Sequence, residues 1–252
     1  MADLNEIVAF LDQELDTANV PDYSGALNGL QLENSGKVEK VVVAVDASLP
    51  VIRKAIAAGA DLLIVHHGMF WHGAQKLVNA QYSKVKEAMD ADMAIYSSHI
   101  PLDIHPQWGN NAQLAAKVGM DGPEAYHLWK GILLGLKQEL DISLDDLLER
   151  VERAVGEKPH VCRGRRMDNV GTVGVITGGA GSEIQAMADA GIDTFITGEG
   201  PHWSFPLAEE LGVNLVYGGH YATETLGVLT ISDVLIDKFS VESEFINHPT
   251  GL

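Results

Sequence analysis

The chain has 252 residues, 46% of them hydrophobic, and carries 35 acidic side chains against 17 basic ones for a net charge of −18. That balance repels phosphate backbones and anionic lipid surfaces, which disfavours nucleic-acid and membrane roles; an anionic substrate would need a local positive centre such as metal ions. The lone Cys162 forms no intramolecular disulfide, and with neither a secretory pattern nor an apolar run of about 18 residues, a soluble cytoplasmic protein is expected.

The first predicted element is a helix, because Leu4, Ile7, Val8, Leu11 and Leu15 recur in LNEIVAFLDQEL at i, i+3, i+4, i+7 spacing. A polar loop follows through Ser24, Gly25, Asn28 and Gly29. Then VEKVVVAVDAS reads as a buried strand, LPVIRKAIAAGA as a helix ended near Gly59, and DLLIVHHG as a second buried strand. Residues 70–89 contain a further helix leading to a third strand, MAIYSS. DISLDDLLERVERAV (141–155) is amphipathic with Asp or Ser available as its cap, and it takes the place in a second copy that residues 3–16 take in the first.

That second copy is visible in the residues. Laid without gaps on residues 38–71, residues 170–203 match at 10 of 34 positions, including Val41/Val173, Gly59/Gly191, Asp61/Asp193 and Gly68/Gly200. AIYSSHIPLD (94–103) aligns with LVYGGHYATE (215–224), pairing His99 with His220 and Asp103 with Glu224. The fold class expected is α/β: two repeated α/β units with mixed, mainly parallel sheets, as residues 1–128 and 129–252, with the C-terminal helix free to pack on the first.

His66 and His67 end a buried strand, where open parallel sheets place their ligand crevices. Neighbours on a strand point to opposite faces, so both serve one site only if the backbone turns, which Gly68 eases; otherwise each serves a different ion. Pro101 disfavours a helix starting before it, which puts Asp103 on a loop. His220 and Glu224 share one face if a helix starts near His220, although Glu224 also suits a first helical turn as a cap. His105, His127, His160 and His248 show no partner pattern, and His72 and His202 read as loop residues near the site. Imidazoles and carboxylates without clustered thiols suit Zn, Mn, Fe, Co or Ni, and their number exceeds what one structural zinc requires, so a pair of divalent ions fits the inventory.

The motifs NGLQ (28–31), VAVDAS (43–48), LLIVHHGMFW (62–71), SSHIPLD (97–103), ITGGAG (176–181), FITGEGPHW (195–203) and GGHYATET (218–225) together make the chain resemble the Nif-three-like family of dinuclear-metal hexameric proteins, often labelled GTP cyclohydrolase I type 2 homologs. The resemblance implies two intertwined α/β repeats, a homohexamer, and two metal ions in the cleft between the halves. By matching motif it makes His66, His67, Asp103, His220 and Glu224 metal ligands. His99 is left as a ligand, an outer neighbour or a proton carrier. Some members carry an inserted domain, for which residues 104–168 leave no room. Two departures stand out: Gly68 replaces a common proline, and the loop before NGLQ lacks an Asp-Asn pairing.

The function expected is that of a metal-dependent hydrolase acting on a nucleotide or phosphoester. Two ions would activate water, and His99 would carry a proton near neutral pH. The glycines of ITGGAG offer backbone N–H groups to a phosphate, or simply form a turn. The family label suggests GTP ring opening. The rivals are a non-catalytic metal-handling or scaffold hexamer, and a protein acting through its surface.

Overall fold

The computed structural model describes residues 1–71, 73 and 75–252. The chain divides into two compact units, residues 1–102 with 227–248 and residues 103–226 with 249–252.

The first unit is built on a five-stranded sheet in the order Glu242–Phe245, Lys40–Asp46, Leu62–His67, Ala94–Ser97, Gly29–Leu32. The first four strands run parallel, and Gly29–Leu32 pairs antiparallel at the edge, with a register shift between Leu30 and Leu32. Crossover helices Leu49–Ala57 and Asn79–Asp90 connect the central strands. Alternate residues of the strands face opposite ways, so Val42, Ala44, Leu63, Val65 and Ile95 join Val51, Ile52 and Ala55 in one core while Val41, Val43 and Ile64 are buried on the other side. The leading helix, Leu4–Glu14, is capped by Asp3, whose carboxylate accepts from the Asn5 and Glu6 amides.

The second unit holds a six-stranded sheet in the order Glu124–Trp129, Ile132–Leu140, Gly171–Val175, Thr194–Thr197, Asn214–Tyr217, His160–Cys162. Its central three strands are parallel and the flanking ones antiparallel. Val173, Val175, Ile196 and Val216 pack with Leu114, Leu144, Leu147 and Val151 on one face. Phe195 and Leu215 pack with Ile184, Met187 and Ala208 on the other. Each such side chain contributes about 1.5–3 kcal/mol by leaving water, so the sheet's two-sided apolar pattern holds both helix layers. The helix Leu144–Val155 starts at Ser143, whose hydroxyl accepts from the Asp146 amide, and ends at Gly156 in the left-handed region.

The expected repeat is thus present as two copies of one pattern: a capped leading helix, two parallel strands with a crossover helix between them, a second crossover, and a third parallel strand bordered by an antiparallel edge. Differences lie in the edges, which the apolar pattern of the central strands does not announce.

Candidate functional site

In the first unit the strand Leu62–His67 delivers both histidines to one place. His66 is wholly buried, and its Nδ1 lies 2.9 Å from the Ser98 carbonyl oxygen. A carbonyl only accepts, so Nδ1 carries the proton and the lone pair of the neutral ring sits on Nε2. The parallel register sets Asp46 beside His67, and His67 Nδ1 lies 2.8 Å from Asp46 Oδ1. His99 follows the strand Ala94–Ser97, with Nδ1 2.9 Å from Asp22 Oδ1. Each of the three rings offers a nitrogen, and these lie within 4.8 Å of one another.

The loop before Gly29 builds the support for His99. Asp22 accepts from the Asn28 side-chain amide at 2.8 Å, Asn28 Oδ1 accepts the His99 amide at 2.8 Å, and Asp22 Oδ2 accepts the Ile100 amide at 3.2 Å. Burial pushes the Asp22 carboxyl upward, but the hydrogen bond and charge of His99, with the Asn28 and Tyr23 donors, outweigh it and hold the pKa below the usual carboxylate value. Asp22 and Asn28, six positions apart, thus form one support for His99. Gln31 of the same motif accepts the Met69 amide at 2.7 Å and runs so close to Gly68 that a β-carbon there would overlap its amide and lie 2.6 Å from Ser97 Oγ. Gly68 serves this close approach.

Residues 100–103 correct one expectation. Ile100–Asp103 is a single helical turn that starts before Pro101, because a proline in the first turn removes no hydrogen bond the helix would use. Asp103, 6% exposed, belongs to the second unit, where its Oδ1 accepts from Asn110 Nδ2 at 2.8 Å and from Thr177 Oγ1 at 3.3 Å.

Also in the second unit, His220 opens the helical turn His220–Thr223, and Glu224 follows it. His220 Nδ1 lies 2.8 Å from Glu199 Oε1 and its Nε2 lies 3.2 Å from Glu224 Oε2. Two ligand atoms bound at ~2.0–2.1 Å with a tetrahedral angle stand about 3.3 Å apart, so this pair fits one ion. Burial lowers the His220 pKa, yet the hydrogen bond and charge of Glu224, then those of Glu199, overcome it and raise it to about 9. In the metal-free chain a proton therefore stands where a cation can take its place. Glu224 is buried and ends the turn His220–Thr223, where its backbone N–H donates to the Tyr221 carbonyl. Gly178, at φ +70°, clears the room: a β-carbon there would overlap Glu224 Oε1.

ITGGAG forms a turn whose amides mostly bond within the fold. The Gly178 amide donates to Thr223 Oγ1, the Ala180 amide to Thr197 Oγ1 and the Gly181 amide to the Glu199 carbonyl, so these three donors serve to fold the loop. His105 accepts the Trp108 amide and stacks on that ring, His202 is exposed in a turn, and His72 lies outside the described residues. His127, His160 and His248 join no ligand group among the described residues. Asp22, Asp46 and Glu199 are the site residues that the motif spacing did not single out, although Asp46 and Glu199 stand in VAVDAS and FITGEG.

Fold and site together define a duplicated α/β protein whose histidine and carboxylate groups are able to take a metal ion. The chain belongs to the Duf34/NIF3 (NGG1p interacting factor 3) family, whose model matches residues 2–250. Relatives named GTP cyclohydrolase 1 type 2 homolog include one from Deinococcus radiodurans, 36% identical over 98% of this chain and 94% of that protein, and one from Pyrococcus abyssi, 38% identical over 98% of each. Among solved structures, the protein ybgI, described as of unknown function, superposes with a TM-score of 0.88 at 33% identity over 99% of this chain and all of that one. Reduced HcgD from Methanocaldococcus jannaschii does so at 0.87 and 28% identity over 98% of each. Among the described residues no helix is long and apolar enough to cross a membrane.

Proposed function

We propose that this protein binds two divalent metal ions, drawn from Zn, Mn, Fe, Co or Ni, through His66, His67, Asp103, His220 and Glu224, and that it is a hydrolase of a phosphoester or nucleotide. The observation that carries the reading is the state of the imidazoles. His66, His67, His99 and His220 each have Nδ1 tied to a carbonyl or carboxylate oxygen, as metal-binding histidines do, so that Nε2 faces the ligand. When bound, such ions acidify water and polarise the scissile centre. His99, fixed by Asp22 and Asn28 beside His66 and His67, takes a proton on Nε2 and passes it on as the general acid–base group. Two divalent ions carry more charge than Asp103 and Glu224 cancel, which leaves a net positive centre suited to an anionic group. The homohexamer and the cytoplasmic location belong to the same proposal and rest on the family resemblance and the single cysteine.

Elemental analysis of the purified protein tests the reading, together with turnover of GTP and of a phosphoester panel. The expectation is close to two ions per chain, lost with turnover in His66→Ala. A protein that holds its native metal yet turns over none of these compounds would instead favour the non-catalytic metal-handling hexamer.

A further inference from the structure

The second unit contains a cavity of about 460 Å³ between the helix Asn110–Val118 and the hairpin formed by Glu124–Trp129 and Ile132–Leu140. That size falls within the range of small-molecule sites. Its walls are apolar, with Ile104, Met120, Pro123, Leu133 and Leu136 among them, and among the described residues no lysine or arginine lines it. Asn111 also lines it, and both ends of its side chain are tied to the fold: its amide donates to the Leu134 carbonyl at 2.8 Å, and its oxygen accepts from the Thr177 amide at 2.8 Å. Asp103 is part of the same lining. Phosphate groups placed between these walls would find no lysine or arginine, whereas an aromatic ring would gain dispersion contact and leave water.

We propose that this cavity receives the uncharged aryl group of an aryl phosphoester whose phosphoryl end lies at Asp103; this rests on the metal-dependent hydrolase reading above. The reaction balances with one water. Its oxygen bonds to phosphorus, the P–O bond to the aryl oxygen breaks, and the departing aryl oxygen takes the proton given up by the water.

The neutral fluorophore N-phenyl-1-naphthylamine, titrated into the full protein with its native metals, tests the cavity. Binding is expected to saturate. Ala116→Phe, at an exposed position of the lining helix, and Leu133→Asp, at a half-exposed position of the hairpin, are each expected to raise Kd about tenfold or more. Circular dichroism of both variants confirms that they fold. Turnover of 4-nitrophenyl phosphate is expected to exceed that of methyl phosphate, and Ala116→Phe to narrow the ratio. Unsaturable binding, a Kd unmoved by both variants, or variants that dissociate the oligomer by light scattering would each overturn the proposal, the last by showing that a second copy fills the cavity. Metal content is read separately. Metal bound without fluorophore binding removes the cavity proposal alone, whereas fluorophore binding by a chain that takes up no metal removes the hydrolase reading and the ester with it.

Discussion

The two repeats solve one problem with different residues. In each, the third parallel strand is followed by a histidine that begins or borders a short helical turn, His99 in the first and His220 in the second, and in each the histidine's Nδ1 is held by a carboxylate. The carboxylates are not equivalent. Asp22 comes from the loop ahead of an edge strand, whereas Glu199 stands at the position that aligns with His67. Duplication has kept the requirement for an oriented imidazole and let the residue that meets it change. At the aligned strand end the first repeat therefore offers an imidazole and the second an orienting acid, which makes the first richer in nitrogen and the second richer in negative charge.

The sharpest way to break this comparison is to remove the charge where it is concentrated. Glu224→Gln keeps the shape but takes the anion from beside His220, and metal affinity is expected to fall by more than about 100-fold in a chelator competition, beyond the usual cost of losing an orienting partner. Unchanged affinity would remove Glu224 from the ligand set.

A smaller effect separates the two carboxylate partners. Glu199→Gln is expected to weaken metal binding about 10–100-fold, because it releases the orientation of His220, a ligand in the proposed site. Asp22→Asn acts on His99; metal content should hold while the pH profile of turnover shifts, as expected of a proton carrier. If Asp22→Asn also strips metal, His99 is a ligand and the two repeats are more alike than their sequences imply.

Gly178→Ala tests the space behind the second half of the site. It strains a positive-φ position and presses on Glu224, so a loss of about 1–3 kcal/mol is expected in denaturant unfolding, alongside weaker metal binding. Gly68→Ala makes a comparable test beside the histidine pair of the first repeat. It meets both the Gln31 amide and the buried Ser97 hydroxyl, so a loss of about 1–3 kcal/mol is expected, from overpacking and from the Met69 amide's lost partner.

Spacing revealed the side chains that converge locally and missed those brought in from afar. His220 and Glu224 are four residues apart, and the strand-end pair His66–His67 needs no folding to be adjacent, so both were legible. Asp22 reaches His99 across 77 residues and Asp46 reaches His67 across 21, distances that only the loop and the parallel register close. The central strands were legible because both faces are buried and their apolar runs are continuous. Edge strands such as Gly29–Leu32 and His160–Cys162 are short and only partly apolar, and nothing in their pattern marks them. The hairpin of the second unit did leave a signal: Lys130 and Gly131 both have positive φ, the two-residue turn that joins twisted strands, between two apolar runs.

The smallest expected effect concerns the helices that lead each repeat, and it asks whether duplication conserved a stabilising device as faithfully as it conserved the sheets. Asp3 accepts the Asn5 amide at 2.8 Å, and Ser143 accepts the Asp146 amide at 3.1 Å. Both caps are local and exposed, so Asp3→Ala and Ser143→Ala should each cost about 1 kcal/mol, read as a shift in the unfolding midpoint with an unchanged slope. The carboxylate has the additional attraction of the helix dipole, worth about 0.3–1 kcal/mol at low salt, so the Asp3 loss should shrink as salt is added while the Ser143 loss holds. Equal losses that respond equally to salt would mean that the hydrogen bond alone sets the cap, leaving the repeats energetically matched at their starts.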